Sequence, residues 1–407
     1  MAQLASKGGT PVRTERFPFW PVWGDEEIEN LTAVIKSGKW GCLHGTLSDE
    51  FERKFAAYQD AKYGILVNSG TTALKIALTA AGIGAGDQVI VPAYTFIASA
   101  SSIIEAGAVP VFVDIDPHTF NIDVDHAAEL LTSATRAIMP VHFAGRPADM
   151  DAVLALAKKH DLVVIEDAAQ AWGSEWRGTG VGALGQAGTF SFQSSKNINA
   201  GEGGIIITND DLVAKMARAH NNCGRSQEGQ WYEHFYFGGN TRITELQSAV
   251  LLAQFGRYPE QMKIRQDNMN YLNQELAAIE GIKVLAEDAR ITSQSVHLFI
   301  FQYRKEFFAG KDKSLFIDAM RKEGIPTSPG YSIPLYKQPV FQKKAFGPRG
   351  RAVDLPIDYT AVVCPQTEKA CFEEAVWFTQ NVLLGTREDM DDIVEAIVKI
   401  KVHAEEL

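Results

Sequence analysis

A chain of 407 residues, 46% hydrophobic and 22% charged, is long enough to bury the cores of two domains. Its formal charge of −11 disfavours nucleic acid and anionic membrane surfaces as partners, and no Lys/Arg cluster interleaved with aromatics interrupts that balance. The cysteines Cys42, Cys223, Cys364 and Cys371 form no Cys-x-x-Cys pair and His142, His160 and His220 show no ligand spacing, which argues for a reduced compartment without structural metal. No apolar signal core opens the chain and no run approaches a membrane span, so a cytoplasmic enzyme is expected.

In chain order, the first segment with chemical content begins at Tyr63. A short apolar strand leads to the turn Ser69-Gly70-Thr71 and then to a helix whose Leu74, Ala77, Leu78 and Ala81 share one face, with Gly82 as its stop. Free N–H groups and hydroxyls at such a helix start suit a phosphate, although an ordinary N-cap has the same composition. Strands are predicted at 88–91, 109–114, 136–141, 162–165, 189–192 and 205–208, separated by segments long enough for helices, including 150–159. That alternation predicts a mainly parallel sheet with right-handed crossovers.

The β-branched run Leu162-Val-Val-Ile165 suits a strand buried on both faces, and it ends in Glu166 and Asp167. Ligands bind at the carboxyl ends of strands in open α/β sheets, where a carboxylate can pair with a protonated pyridine nitrogen. An acidic pair after a strand is also an ordinary helix cap. In Gly188-Thr-Phe-Ser-Phe-Gln-Ser-Ser-Lys-Asn-Ile-Asn-Ala-Gly-Glu-Gly-Gly204, Phe190 and Phe192 alternate with Thr189, Ser191 and Gln193, and Lys196 then precedes a glycine-rich turn. A lysine held there against an aldehyde is a Schiff-base candidate, whereas a lone lysine before glycines reads as a solvated loop.

From Thr244 a helical pattern through Leu246, Val250, Leu251 and Phe255 runs into a polar stretch, 257–273, expected to link to a smaller domain. That domain carries a strand-like run at 296–303. Its final helix opens at Thr386, with Asp389 three residues on as a near capping box and Ile393, Ile397 and Ile400 as its buried stripe.

Taken together, these segments resemble the DegT/DnrJ/StrS-type sugar and cyclitol aminotransferases, a family of fold-type I pyridoxal-phosphate (PLP) enzymes. Along nearly the whole chain the resemblance rests on Ser37-Gly-Lys-Trp40 with Gly45, Asn68-Ser-Gly-Thr-Thr-Ala73, Pro92-Ala-Tyr-Thr-Phe96, Glu166-Asp-Ala-Ala-Gln170, Ser191 through Gly204, Gly239-Asn-Thr-Arg-Ile-Thr-Glu-Leu-Gln247 and Gly385-Thr-Arg-Glu-Asp-Met-Asp-Asp392. It implies an α/β architecture, with a large PLP-binding domain over 1–260 containing a mainly parallel sheet and a smaller α+β domain over 261–407.

By position, the resemblance makes Lys196 the lysine that forms the cofactor aldimine and shuttles the proton, and Asp167 the partner of the pyridine nitrogen. Gly70, Thr71, Thr72 and Ser191 would hold the phosphate. Phe96 would stack on the ring, and Gln170, where many relatives carry His, would lie near its phenolic oxygen. Asn240 would reach the phosphate of a neighbouring subunit, implying a homodimer with shared active sites. The implied reaction is a ping-pong transfer from L-glutamate or L-glutamine to a small-molecule keto acceptor. Arg242 is a candidate partner for the donor carboxylate.

Relatives acting on nucleotide-linked keto-sugars often show Tyr-x-x-Pro-x-His, whereas this chain reads Tyr331-Ser-Ile-Pro-Leu-Tyr336. Tyr331 and Tyr336 thus become substrate-site candidates, and the missing His favours a keto-cyclitol or unphosphorylated keto-sugar. Lys36, Lys39, Arg225 and Arg242 supply cations for the nucleotide-sugar alternative. An aromatising or dehydrating synthase and a non-catalytic regulator are the other readings; family dehydratases replace the lysine by His, so Lys196 counts against a pure dehydratase.

Overall fold

The computed structural model describes residues 3–226, 228–346 and 356–407. Its main sheet has seven strands, β1 (Tyr63–Val67), β2 (Gln88–Pro92), β3 (Val109–Val113), β4 (Thr135–Ile138), β5 (Val163–Asp167), β6 (Ala187–Ser191) and β7 (Gly204–Thr208), in the spatial order β1-β7-β6-β5-β4-β2-β3. Only β7 runs against the rest, pairing Thr208 with Tyr63 of β1 and Ile205 with Phe190 of β6. The remaining neighbours are parallel, as the alternation predicted. β4 stops short of the expected 141, because Pro140 has no N–H for a ladder and beyond it only a single bridge joins Val141 to Asp167.

Outside the sheet, α1 (Asp25–Ser37) packs on the long helix Glu245–Ala277, while helices α2 (Leu47–Tyr58), α3 (Gly70–Ala80), α4 (Ala98–Glu105), α5 (Met150–His160) and α6 (Asp211–Asn221) cover its two faces. On one side Leu74, Ala77 and Leu78 of α3 pack with Ile103 of α4. On the other, Phe51 and Phe55 of α2 meet Phe192 and Phe190 with ring centroids 5.3 and 5.0 Å apart. The two-residue period of β6, carried on to Phe192 just beyond it, therefore commits Phe190 and Phe192 to the α2 side and leaves Ser191 facing α3. Gly82 has φ +86° just beyond α3, in the left-handed region where a side chain is disfavoured.

The polar stretch at 257–273 is no loose linker but the second half of a continuous helix, α7 (Glu245–Ala277). Tyr258, Met262, Arg265, Asn268, Leu272 and Leu276 recur every three or four residues and are all buried. Two members of this stripe are polar, which hides it from a hydrophobic pattern. Asn268 Nδ2 donates to the carbonyls of Leu383 and Gly385 at 3.0 and 2.9 Å, and Arg265 donates to Gln380. Pro259 lies inside the helix without ending it.

Beyond α7, β8 (Ile282–Val284), β9 (Leu298–Tyr303) and β10 (Ala375–Thr379) form an antiparallel sheet with β9 in the middle. It packs with α8 (Lys313–Lys322) and α9 (Arg387–Val402), whose Ile393, Ile397 and Ile400 are fully buried. The capping box closes as expected: Thr386 Oγ1 accepts from the Asp389 N–H at 3.3 Å, and Asp389 Oδ2 accepts from the Thr386 N–H at 2.7 Å. The two cores exchange segments. Leu4 and Phe17 from the N-terminus join the β8–β10 core, while Leu335, Tyr336, Phe341 and Tyr359 return to the main one.

Candidate active site

The turn after β1, the segment after β2, and the ends of β5 and β6 all reach the carboxyl edge of the parallel strands, where the edge of the β9–β10 pair faces them. A cleft of about 660 Å³ opens between the two sheets, and Lys196, Asp167, Gln170, Phe96, Tyr331 and Gln380 are among the residues lining it.

Asp167 is the last residue of β5 and is buried. Ser99 Oγ donates to its Oδ2 at 2.7 Å and the Ala169 N–H to its Oδ1 at 3.2 Å. Burial pushes its pKa above the usual carboxylate value, against the pull of those donors and of the nearby Lys196 charge. The Lys196 backbone is anchored by its N–H to the Gln193 carbonyl at 2.8 Å. Although the residue as a whole is half-exposed to the open cleft, its amine sits deep among protein atoms, and burial lowers its pKa to about 8 against the attraction of Asp167. Among the described residues that amine makes no hydrogen bond. A buried, unengaged amine with a lowered proton affinity, beside a carboxylate, is a nucleophile held ready.

Two glycines bring the phosphate-type turn against the lysine loop. A Cβ on Gly70 would stand 2.7 Å from Ser191 Cβ, and one on Gly204 would stand 2.5 Å from the Ser69 carbonyl oxygen. The Ser69 hydroxyl accepts from the Thr72 N–H at 3.1 Å and donates to Thr72 Oγ1 at 3.0 Å. The N–H groups of Gly70 and Thr71 are left at the start of α3, with the Ser191 hydroxyl beside them. Thr72 itself is consumed by this cap and does not line the cleft.

Gln170 shows how a neighbour fixes an amide. Its Oε1 accepts from the Ala144 N–H at 2.7 Å, so its NH₂ group is turned towards Tyr331 and the cleft as a donor. Phe96 is 57% exposed, over the cleft and out of the core, while Tyr94 two residues earlier is buried against Phe120, Phe143 and Tyr331.

Three candidates lie away from this cleft. Tyr336 is buried in the main core, its hydroxyl donating to Glu368 at 2.5 Å and accepting from the Cys364 N–H at 3.2 Å, so packing accounts for it. Arg242 lines a separate cavity beside Cys42 and Arg225 and donates to Asn222 Oδ1 at 2.8 Å. Asn240 is exposed and bridges to Asn222. Glu166, next to Asp167 in sequence, points to the opposite side: it accepts from the N–H groups of Gly182, Leu184 and Gly185 and from His142 Nε2, with His142 Nδ1 taken by the Ala148 N–H.

The sequence did not mark Ser99, Trp20, His297 or Gln380. Ser99 sits in a neutral Ala/Ser run, and the others reach the cleft from distant segments. His297 precedes β9, with Nδ1 2.9 Å from Asn197 Oδ1; because Asn197 Nδ2 donates to the Val296 carbonyl at 3.0 Å, the imidazole carries its proton on Nδ1. Burial, then the charges of Lys196 and Arg265, hold it neutral, well below the usual histidine range. Trp20 donates its indole N–H to the Ser194 carbonyl at 3.0 Å, closing the loop that carries Lys196.

Residues 21–398 match the model of the DegT/DnrJ/EryC1/StrS aminotransferase family. An L-glutamine:2-deoxy-scyllo-inosose aminotransferase of Streptoalloteichus tenebrarius is 36% identical, over 99% of both chains. A pleiotropic regulatory protein of Geobacillus stearothermophilus is 42% identical over 78% of this chain and 82% of its own. The crystal structure of 3-amino-5-hydroxybenzoic acid synthase superposes with a TM-score of 0.87 at 32% identity, covering 96% of this chain and all of that one. With the lysine, strand-end aspartate and helix-start turn assembled in one cleft, the comparisons make the conclusion direct: the chain is an aminotransferase of the DegT/DnrJ/EryC1/StrS family.

Proposed function

We propose that the protein is a PLP-dependent transaminase that moves an amino group from L-glutamine or L-glutamate to a keto-cyclitol. The observation that carries this reading is the Lys196 amine, lowered to about 8 by burial, in one cleft with the buried Asp167. The residues fit the cofactor: the close approach that Gly70 permits to Ser191 sets the start of α3 beside the Ser191 hydroxyl at the cleft wall, where a phosphate would be held, and Asp167 would pair with a pyridinium. Bound there, PLP supplies the electron sink for the carbanion chemistry.

The chain's own groups orient and move protons. Lys196 exchanges a proton with the substrate carbon, as its near-neutral proton affinity suits. Gln170, its carbonyl taken by Ala144, offers N–H to the ring's phenolic oxygen, and Phe96 offers a face for stacking. We assign Gly70, Thr71 and Ser191 to the phosphate and Tyr331 to the substrate. Donor and keto acceptor then use the same cleft in turn, in ping-pong order.

The acceptor class rests on the similarity to an aminotransferase named for 2-deoxy-scyllo-inosose. We place Asn240, and Arg242 with it, at the cleft of a second copy in a homodimer. Exposed rings precede Asn240 in the same segment, Trp231 at 76% and Phe237 at 95% exposure, the kind of apolar surface a partner covers. No helix among the described residues is long and apolar enough to cross a membrane.

The test is the half-reaction: protein carrying PLP, mixed separately with L-glutamine and L-glutamate, followed by the absorbance change from the lysine-bound to the aminated cofactor. Conversion, followed by return with 2-deoxy-scyllo-inosose, is expected. Retention of PLP without conversion would favour the aromatising synthase reading, and failure to bind PLP the regulatory one.

A further inference from the structure

Arg265 is a buried cation with no counter-ion among the described residues. It is fully enclosed on α7, its guanidinium lies 5.3 Å from the Trp20 ring centroid, and it joins no ion pair among the described residues. Nε donates to the Gln380 main-chain carbonyl at 3.2 Å and Nη2 to Gln380 Oε1 at 2.5 Å, while Nη1 has no hydrogen-bond partner among the described residues. Burial draws its pKa down to about 10, which leaves it charged at neutral pH. A desolvated guanidinium is costly unless an anion answers it, and carboxylates are its geometric complement.

Gln380 stands between that charge and the cleft. Its carbonyl is committed to Arg265, so its NH₂ group, which makes no hydrogen bond among the described residues, is the part left to the cleft it lines with Lys196. A cation behind the carbonyl polarises the amide and strengthens its N–H donors. His297 feels the charges of both Lys196 and Arg265, so it lies close to each. The phosphate cradle is built from other elements, α3 and β6. A keto-cyclitol carries no charge, whereas either amino donor carries an α-carboxylate next to the carbon that Lys196 must reach.

We propose that Gln380, oriented and polarised by Arg265, is the seat for the carboxylate of the amino donor. The identity of that ligand rests on the aminotransferase reading; the seat itself is a property of the cleft.

The experiment has two arms on the full-length protein. In the first, calorimetry measures binding of L-glutamate and of its diester, which keeps the amine but has no carboxylate, to protein prepared without PLP, for wild type, Gln380→Ala and Gln380→Glu. Gln380→Glu retains the shape and satisfies Arg265 internally, so it tests the seat even if Gln380→Ala unfolds. The acid is expected to bind wild type and to lose about tenfold or more in Gln380→Glu, with the diester binding weakly to all. Absence of acid binding to wild type, or equal binding to wild type and Gln380→Glu, overturns the proposal. In the second arm the PLP-loaded proteins undergo the half-reaction, where Gln380→Glu should raise the donor concentration needed for half-maximal rate by a similar factor. Acid binding that depends on Gln380, without conversion by wild type, would sink the transaminase reading and leave the seat standing.

Discussion

Gly70 and Ser191 approach so closely that a Cβ on the glycine would stand 2.7 Å from the serine's own Cβ and 3.1 Å from its hydroxyl. The start of α3 and the end of β6 meet there, and the hydroxyl and free N–H groups face one small space. Gly70→Ala is therefore expected to push the turn off β6 and to weaken PLP binding by about tenfold or more, the loss of a charge-assisted hydrogen bond. Equilibrium dialysis with PLP checks this, and unchanged affinity would remove the phosphate role from this turn.

Burial lowers the Lys196 amine to about 8, from the 10.5 of an ordinary lysine. Only the neutral amine attacks an aldehyde, so the rate at which cofactor-free protein recombines with PLP should rise with pH and level off above about 8. The Asp167 charge favours the protonated lysine, so Asp167→Asn should move the midpoint down. A wild-type midpoint near 10.5 in stopped-flow traces would refute the burial argument.

Ser99 supplies the short hydrogen bond to Asp167 Oδ2, leaving, among the described residues, only the Ala169 N–H on the other oxygen. Ser99→Ala should cost about 1.5–3 kcal/mol of stabilisation of the carboxylate, and so lower kcat about tenfold or more with little change in KM. Steady-state kinetics separates the two; a change in KM alone would make Ser99 a substrate contact.

Much of the candidate site was legible because the residues gathered in the cleft announce themselves locally. Lys196, Asp167 and the Ser69-Gly70-Thr71 turn each carry a strand or helix signal on one side, and the parallel sheet then brings strand ends to one edge. Gln380, Trp20 and His297 carry no such signal: they reach the cleft through α7 and the β9–β10 edge, contacts of long sequence separation. Tyr336 misled because the motif that singled it out records a spacing, whereas Glu368 and the Cys364 N–H decide where its hydroxyl goes. The stripe of α7 escaped for a related reason, since Arg265 and Asn268 are polar in sequence and become core residues only once Gln380 and the carbonyls of Leu383 and Gly385 meet them.

Glu166 tests the division of labour at the end of β5. Each of its oxygens accepts two donors, the Oε2 pair buried and the Oε1 pair half-buried, so an amide there turns its NH₂ group against one pair. Glu166→Gln should lower stability by about 1–3 kcal/mol for each orphaned donor, read in the denaturant midpoint. The Lys196 recombination midpoint should stay where it is. A shift in that midpoint with stability intact would give Glu166 a part in the chemistry.

Asn240 and Arg242 lie outside the cleft of their own chain, and a shared site is the arrangement in which they would act. Complementation decides this. Lys196→Ala and Asn240→Ala, each impaired alone, should regain activity when unfolded and refolded together, because in a mixed dimer one of the two sites takes an intact lysine from one protomer and an intact asparagine from the other. With random pairing, half the dimers are mixed and each holds one complete site, so recovery should approach about one quarter of wild-type activity. No recovery, with mixed dimers verified by mass spectrometry, would confine every site residue to one chain and return Asn240 to the role of a turn residue beside Gly238 and Gly239.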